Sequence, residues 1–358
     1  MLLAVEGRWP QIPARAISIK GDHLGSATKE SQPMPRKKPT PRPVPPLSSS
    51  AFEQGWSSPR AARSAPPTVS GRWLLIASSI ALVAAAACAW LTLCLLFWQG
   101  SWQLLYHPTS AVARTPASAG LPFDPVAFAT TEAGVPRLRG WWIPAAPDAH
   151  YSRFTVLYLH SRTGNLGDTV DALAALHNLG VNVLAFDYRG YGQSQFAHPS
   201  EARWIEDADW ALKYLTATRH VPAGAIILDG RDLGANLAIE VAAAHPDLAG
   251  VVLESPLESP VNAIFNDPRA RLIPAHLLVR DRFNADQAGN PLLIPSLWLV
   301  AEPESSKPAF QSPHPAGYDR ITAQKMLVWL KPSPAPSQPF ADAYTRWLDD
   351  LPTRPGTP

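Results

Sequence analysis

Six short runs of aliphatic and aromatic residues, set between helix-like segments, constrain this chain more than any other feature. They are "FTVLYLH" (154–160), "VNVLAFDY" (181–188), "AIILDG" (225–230), "GVVLES" (250–255), "SLWLVA" (296–301) and "KMLVWL" (325–330). They are nearly continuous in apolar character, so as strands they need cover on both faces. Between and after them lie "LGDTVDALAALHNLG" (166–180), closing on Gly180, an amphipathic stretch at 200–220 that Ser200 caps, an alanine-rich stretch at 233–247 and a closing segment at 339–351. This alternation predicts an α/β fold, a mostly parallel sheet with helices on both faces and right-handed crossovers. Ligands in such sheets bind outside the carboxyl ends of the strands. The loops "HSRTGN", "DYRGYGQS" and "GRDLG" begin there.

Upstream, Trp73–Trp98 is a run of 26 residues without a charge. A bilayer-spanning helix needs about 20 such residues, so residues 73–98 are expected to be a transmembrane helix that makes the membrane a partner. Tryptophans at its ends suit the interfacial belts. A cleaved signal peptide is the competing reading; its apolar core is usually about 7–15 residues behind a short leader. A true start at Met34 would shorten the leader and favour cleavage. Arg60, Arg63 and Arg72 precede the run, and Arg114 is the first charge after it. The positive-inside rule then keeps the N-terminus cytoplasmic and places the main domain outside, in the periplasm of a Gram-negative source. Cys88 and Cys94 both lie in the run, so no disulfide framework is legible.

Residues 1–72 carry a net charge of +7 and residues 73–358 a net charge of −5. The basic character belongs to a Pro/Arg-rich tail, expected to be disordered. A mildly acidic main domain argues against nucleic acid as a partner. The ten histidines are scattered without metal-ligand spacing, so neither a metal nor another cofactor is expected. The expected organisation is tail (1–72), spanning helix (73–98) and one α/β domain (99–358), with 256–291 as a possible cap insertion.

The stretch "LDGRDLGANLA" (228–238) follows a strand-like run and opens a helix-like one. Gly230, position 232 and Gly234 have the spacing of G-x-S-x-G, the turn that presents a serine nucleophile. Here the middle residue is Asp232. With "VLYLHSRTGN", "VLAFDYRGYGQS", "VVLESPLES" and "RDRF", in that order, the chain resembles the α/β-hydrolase superfamily. More narrowly it is similar to a membrane-anchored branch described as serine aminopeptidase-like or acyl-ester hydrolases. The resemblance implies an α/β-hydrolase fold over roughly 100–350, a nucleophile at position 232, an acid after the strand 296–300 and a histidine after the last strand.

Those parts are altered. Asp232 stands where the serine belongs. The loop "KPSPAPSQPF" (331–340) has no histidine, and none follows His314. Glu304, or alternatively Glu302, aligns with the acid. His314 is the candidate for a relocated base. The oxyanion loop has Ser161 in place of a glycine, while the backbone N–H groups of Arg162 and Leu233 are placed to be the two donors. Arg162 is also placed to neutralise Asp232, and His160 reads as structural. The reading favoured is a membrane-anchored α/β-hydrolase relative without ordinary Ser-His-Asp hydrolysis, a pseudo-hydrolase that binds or scaffolds, with a small-molecule or acyl ligand in the family pocket. The alternatives are an active hydrolase with Asp232 as nucleophile, resembling dehalogenases and epoxide hydrolases, and an acyl-ester hydrolase with an unrecognised constellation.

Overall fold

The computed structural model describes residues 69–283, 292–302, 314–315, 317–331 and 336–352. The expected tail, up to residue 68, and Glu304 lie outside the described residues, as does 284–291 of the expected cap.

Eight strands form one sheet: β1 (Asp124–Thr130), β2 (Pro136–Ile143), β3 (Thr155–Leu159), β4 (Asn182–Asp187), β5 (Ile226–Arg231), β6 (Gly250–Glu254), β7 (Ser296–Ala301) and β8 (Lys325–Leu330). Their spatial order is β8-β7-β6-β5-β3-β4-β2-β1. β3 to β8 run parallel, β2 is antiparallel to β4, and β1 to β2. The sheet is therefore mostly parallel, as the alternation of segments predicts. The chain winds one way from β3 to β4 and then returns past β3 to add β5. This change of direction opens a crevice at the carboxyl ends of β3 and β5.

The helices are α1 (Gly71–Gly100), α2 (Val170–Leu179), α3 (Glu201–Lys213), α4 (Leu233–Ala244) and α5 (Gln338–Asp350). On one face of the sheet, Trp204 and Ala208 of α3 and Leu237 and Val241 of α4 pack with Leu157 and Leu159 of β3. On the other, Leu173 and Leu176 of α2 and Tyr344 and Trp347 of α5 pack with Val156 and Tyr158. β3 is buried along its whole length, which is why its sequence reads as an unbroken apolar run.

Some elements differ from expectation. The 200–220 helix gives up its α-helical bonding after Lys213, and Tyr214–Thr218 forms a wider π turn. Within the expected cap insertion, Ala275–Leu278 forms a single helical turn. β1 and β2 were not read as strands. β1 is an edge strand that starts at Asp124-Pro125 and buries only Val126 and Phe128; an edge position tolerates proline and a thin apolar pattern.

α1 is about 45 Å long at 1.5 Å per residue. Its apolar side chains are exposed almost throughout; Trp73, Leu75 and Leu82 are examples, and Phe97 is its one buried residue. Its length and composition suffice to cross a membrane. The chain then makes one turn at Trp102–Leu105 and buries Leu105 and Tyr106 in the core. His107 and Pro108 pair with Thr163 and Gly164 in a two-residue parallel ladder. The exit of α1 is thus stitched to the loop after β3.

Candidate functional site

Asp232 sits between β5 and α4 with φ 56° and ψ −123°. Positive φ is strained for a residue with a β-carbon, and aspartate is among the side chains that tolerate it. The turn is held by its neighbours. The Asp232 N–H donates to the Glu254 carbonyl at the end of β6 (2.9 Å), and the Ala235 N–H to the Asp232 carbonyl (3.0 Å). Gly230 and Gly234 make the sharp return possible. A β-carbon on Gly230 would strike the Gly234 carbonyl, and one on Gly234 would strike the carbonyls of Leu159, at the end of β3, and of His160, just after it.

Facing Asp232 is the loop after β3. Arg162 Nε lies 3.4 Å from Asp232 Oδ2. The Arg162 backbone N–H donates weakly to the same oxygen, also at 3.4 Å. Both side chains are about a quarter exposed, at 26% and 27%. The loop is fixed from behind, because the Arg162 carbonyl accepts from the His107 N–H (2.9 Å) and the Tyr191 hydroxyl (2.8 Å). Ser161 Oγ donates to the Thr163 carbonyl (3.0 Å). Leu233, the first residue of α4, is buried. Asp232, Arg162, Ser161 and Leu233 therefore converge on one site.

The sheet order and the elbow can be set beside known proteins. A family model described as serine aminopeptidase, S33, matches residues 151–288. A Mycobacterium tuberculosis protein described as uncharacterized is 32% identical over 188 residues, covering 52% of this chain and 63% of that protein. The Caenorhabditis elegans alpha/beta hydrolase domain-containing protein aho-3 is 36% identical over 115 residues, covering 32% and 34% of the two chains. An esterase of Pyrococcus furiosus shares the fold at a TM-score of 0.51 and 20% identity, over 69% of this chain and 98% of its own. The chain belongs to the α/β-hydrolase superfamily. It spans just under two thirds of the length of the mycobacterial relative.

By its place in the G-x-S-x-G spacing Asp232 aligns with the turn that presents a nucleophile in α/β-hydrolases, and the Arg162 N–H aligns with the loop that supplies an oxyanion donor there. Here that donor faces the side chain of Asp232 instead. His314 is placed elsewhere. Its Nδ1 lies 2.7 Å from Asp319 Oδ1, and its ring is 4.9 Å from that of Tyr318. Tyr318 packs on Trp298 (5.5 Å), and its carbonyl accepts from Lys325 Nζ (2.8 Å) at the start of β8. These contacts put His314 by the amino ends of β7 and β8, whereas Asp232 is at the carboxyl end of β5. Glu302 is exposed at the end of β7.

His160 is fully buried. Its Nδ1 is 2.8 Å from the Ser161 carbonyl, which fixes the proton there, and its ring packs against Tyr188 and Tyr191. Nε2 is 3.8 Å from Asp187 Oδ1. Burial pushes His160 down to about 4 and the Asp187 carboxyl up to about 7. These shifts oppose one another in stability. Raised from an unfolded value of about 3.9, Asp187 contributes stability that is complete at low pH and lost as pH rises to about 7. Depressed from about 6.5, His160 contributes stability present above that value and lost as pH falls to about 4. The two nearly cancel between pH 4 and 6.5. Measured as differences from the unsubstituted chain, Asp187→Asn should lose about 3 kcal/mol from pH 6.5 to pH 4, with His160 unopposed. His160→Asn should gain about 3 kcal/mol as pH falls from 6.5 to 4, with Asp187 unopposed. Thermal unfolding across pH checks both; parallel curves for the two variants would refute the opposition.

A second polar group, missed in the sequence, lies behind the elbow. Asp229 of β5 is fully buried and accepts from the Tyr344 hydroxyl (3.1 Å). Burial, then the charge of Glu254, holds Asp229 well above the usual carboxylate range, and burial raises Glu254 as well. Asp229 Oδ1 and Glu254 Oε1 are both buried without a hydrogen-bond partner among the described residues. Arg231 Nε stands 4.0 Å from Glu254 Oε2. Arg231, Glu254, Lys331, Ser337 and Phe340 line a cavity of about 260 Å³ at the carboxyl ends of β5 to β8. The signal was an aspartate inside the buried run "AIILDG" and a glutamate ending "VVLES".

Proposed function

We propose that this chain is a membrane-anchored pseudo-hydrolase, an α/β-hydrolase-fold protein whose elbow site binds and does not cleave. One observation carries the reading: the elbow residue is Asp232, and its carboxylate is held by the side chain and backbone N–H of Arg162. A serine hydrolase needs a neutral nucleophile beside a base and free donors for an oxyanion. Here an anion already faces the donor and repels a second. The base is missing from the sequence after the last strand. The crevice at Asp232 and Arg162 suits a small-molecule or acyl ligand with a polar end that exchanges into this ion pair. The anchor is α1, with residues 1–70 on the cytoplasmic side and the domain on the other, following the arginines at 60, 63 and 72.

Turnover tests the reading. Esters, thioesters, amides, alkyl halides and epoxides incubated with the full chain in detergent should be consumed no faster than in buffer. Asp232→Asn should match the unsubstituted chain. Turnover abolished by Asp232→Asn would install the aspartate as a nucleophile; turnover lost only with a serine substitution would establish an acyl hydrolase of another constellation.

A further inference from the structure

We infer that the segment 268–282, with Leu272 and Leu277 at its tip, is seated in the lipid of the leaflet on the domain's side, alongside α1. The inference rests on α1 crossing the membrane. The uncharged run from Trp73 to Trp98 is about 39 Å long, whereas the hydrocarbon core is about 30 Å and takes about 20 residues. Every placement of that core along the run includes Trp90. Trp90 Nε1 donates to the Leu272 carbonyl at 3.0 Å. The Leu272 backbone is therefore at hydrocarbon depth, and the bond satisfies two groups that lipid cannot.

The side chains agree with that depth. Leu272 is 65% exposed and Leu277 84% exposed, an awkward arrangement in water and a natural one in lipid. The turn Ala275–Leu278 packs against α1. At the level of the helix end the Arg280 guanidinium lies 4.7 Å over the Trp98 ring, a headgroup-level arrangement of cation and aromatic belt, and Arg271, exposed beside Leu272, has a long enough stem to carry its charge up to that level. Arg269 is neutralised by Asp267 at 2.8 Å. The base of the segment is pinned to the domain. Tyr106 donates to Asp281 (3.0 Å), and the Arg282 and Phe283 N–H groups donate to Glu201 (2.7 and 2.9 Å). A rigid lip, continuous with the apolar surface of α1, follows. It lies between β6 and β7, on the edge of the sheet that carries Asp232, so the crevice opens toward the bilayer surface.

Depth-dependent quenching tests this. In a Cys88→Ala, Cys94→Ala background, single cysteines at Leu272, Leu277, Val83 in α1 and His150 are labelled with an environment-sensitive fluorophore. His150, before β3 at the opposite end of the sheet, is 76% exposed. The full chain is placed in nanodiscs of phosphatidylcholine and phosphatidylglycerol. Labels at 272, 277 and 83 should be quenched several-fold more by acyl-chain nitroxide lipids than by aqueous iodide, and the label at 150 the reverse. Lipid quenching at 83 with iodide quenching at 272 and 277 would overturn the lip and leave the anchor standing. Protection of 272 and 277 from both quenchers would assign them to a protein contact and also overturn it. Iodide quenching at 83 would remove the anchor itself.

Discussion

Replacing Arg189 with leucine is expected to destabilise the folded domain by about 3–5 kcal/mol, the usual cost of stranding one partner of a buried ion pair. Arg189 and Asp207 are almost wholly inaccessible. Arg189 Nε is 2.6 Å from Asp207 Oδ1, and its backbone N–H donates to Oδ2 at 2.8 Å. The guanidinium also donates to Glu206 (2.5 Å) and lies 4.7 Å over the Trp210 ring. These bonds tie the loop after β4 to α3. Even with Arg189 present, burial pushes the Asp207 carboxyl up to about 6. Without it the acid must take up a proton to stay buried. A folded value raised above the unfolded one gives stability present at low pH and lost as pH rises, so Arg189→Leu should be worse at pH 8 than at pH 5. Thermal unfolding should show a fall in Tm of about 10 °C at pH 8, and the double variant Arg189→Leu, Asp207→Leu should recover most of it. An unchanged Tm in the single variant would mean the pair does not hold the loop.

The second large effect belongs to the elbow. Gly234→Ala should cost about 3 kcal/mol or more, at the upper end of overpacking changes. The added carbon meets carbonyl oxygens of Leu159 and His160, main-chain atoms that cannot rotate aside. Relief requires α4 to move away from β3, and that carries Asp232 away from Arg162. Chemical denaturation of the variant measures the loss; a loss below about 1 kcal/mol would show that the helix start yields easily. The same close approach explains why the turn survives without a serine. Its geometry is set by Gly230, Gly234 and the Asp232–Glu254 backbone bond, none of which depends on the side chain at 232.

The six apolar runs were enough to read the sheet, because strands covered on both faces leave an unmixed apolar signature. β1 and β2 were harder: their pattern is interrupted by Pro125 and Gly140, and they pair antiparallel at the edge. The elbow was legible through glycine spacing, since close backbone approach admits no other residue. The buried acids were not. Asp229 reads as a polar intruder in a strand until Tyr344, 115 residues later, is seen to donate to it. His314 shows the converse: a residue type suited to catalysis is drawn by Asp319 and Tyr318 to the other end of the sheet.

The most direct measurement of the central claim is a single-turnover incubation of the full chain in ¹⁸O-labelled water with the ester, halide and epoxide panel, followed by mass spectrometry of the peptide containing Asp232. The expected result is no substrate consumed above the buffer rate, no adduct on Asp232 and no ¹⁸O in its carboxylate. Label entering Asp232 with substrate turnover, and lost in Asp232→Asn, would show that the elbow still performs chemistry.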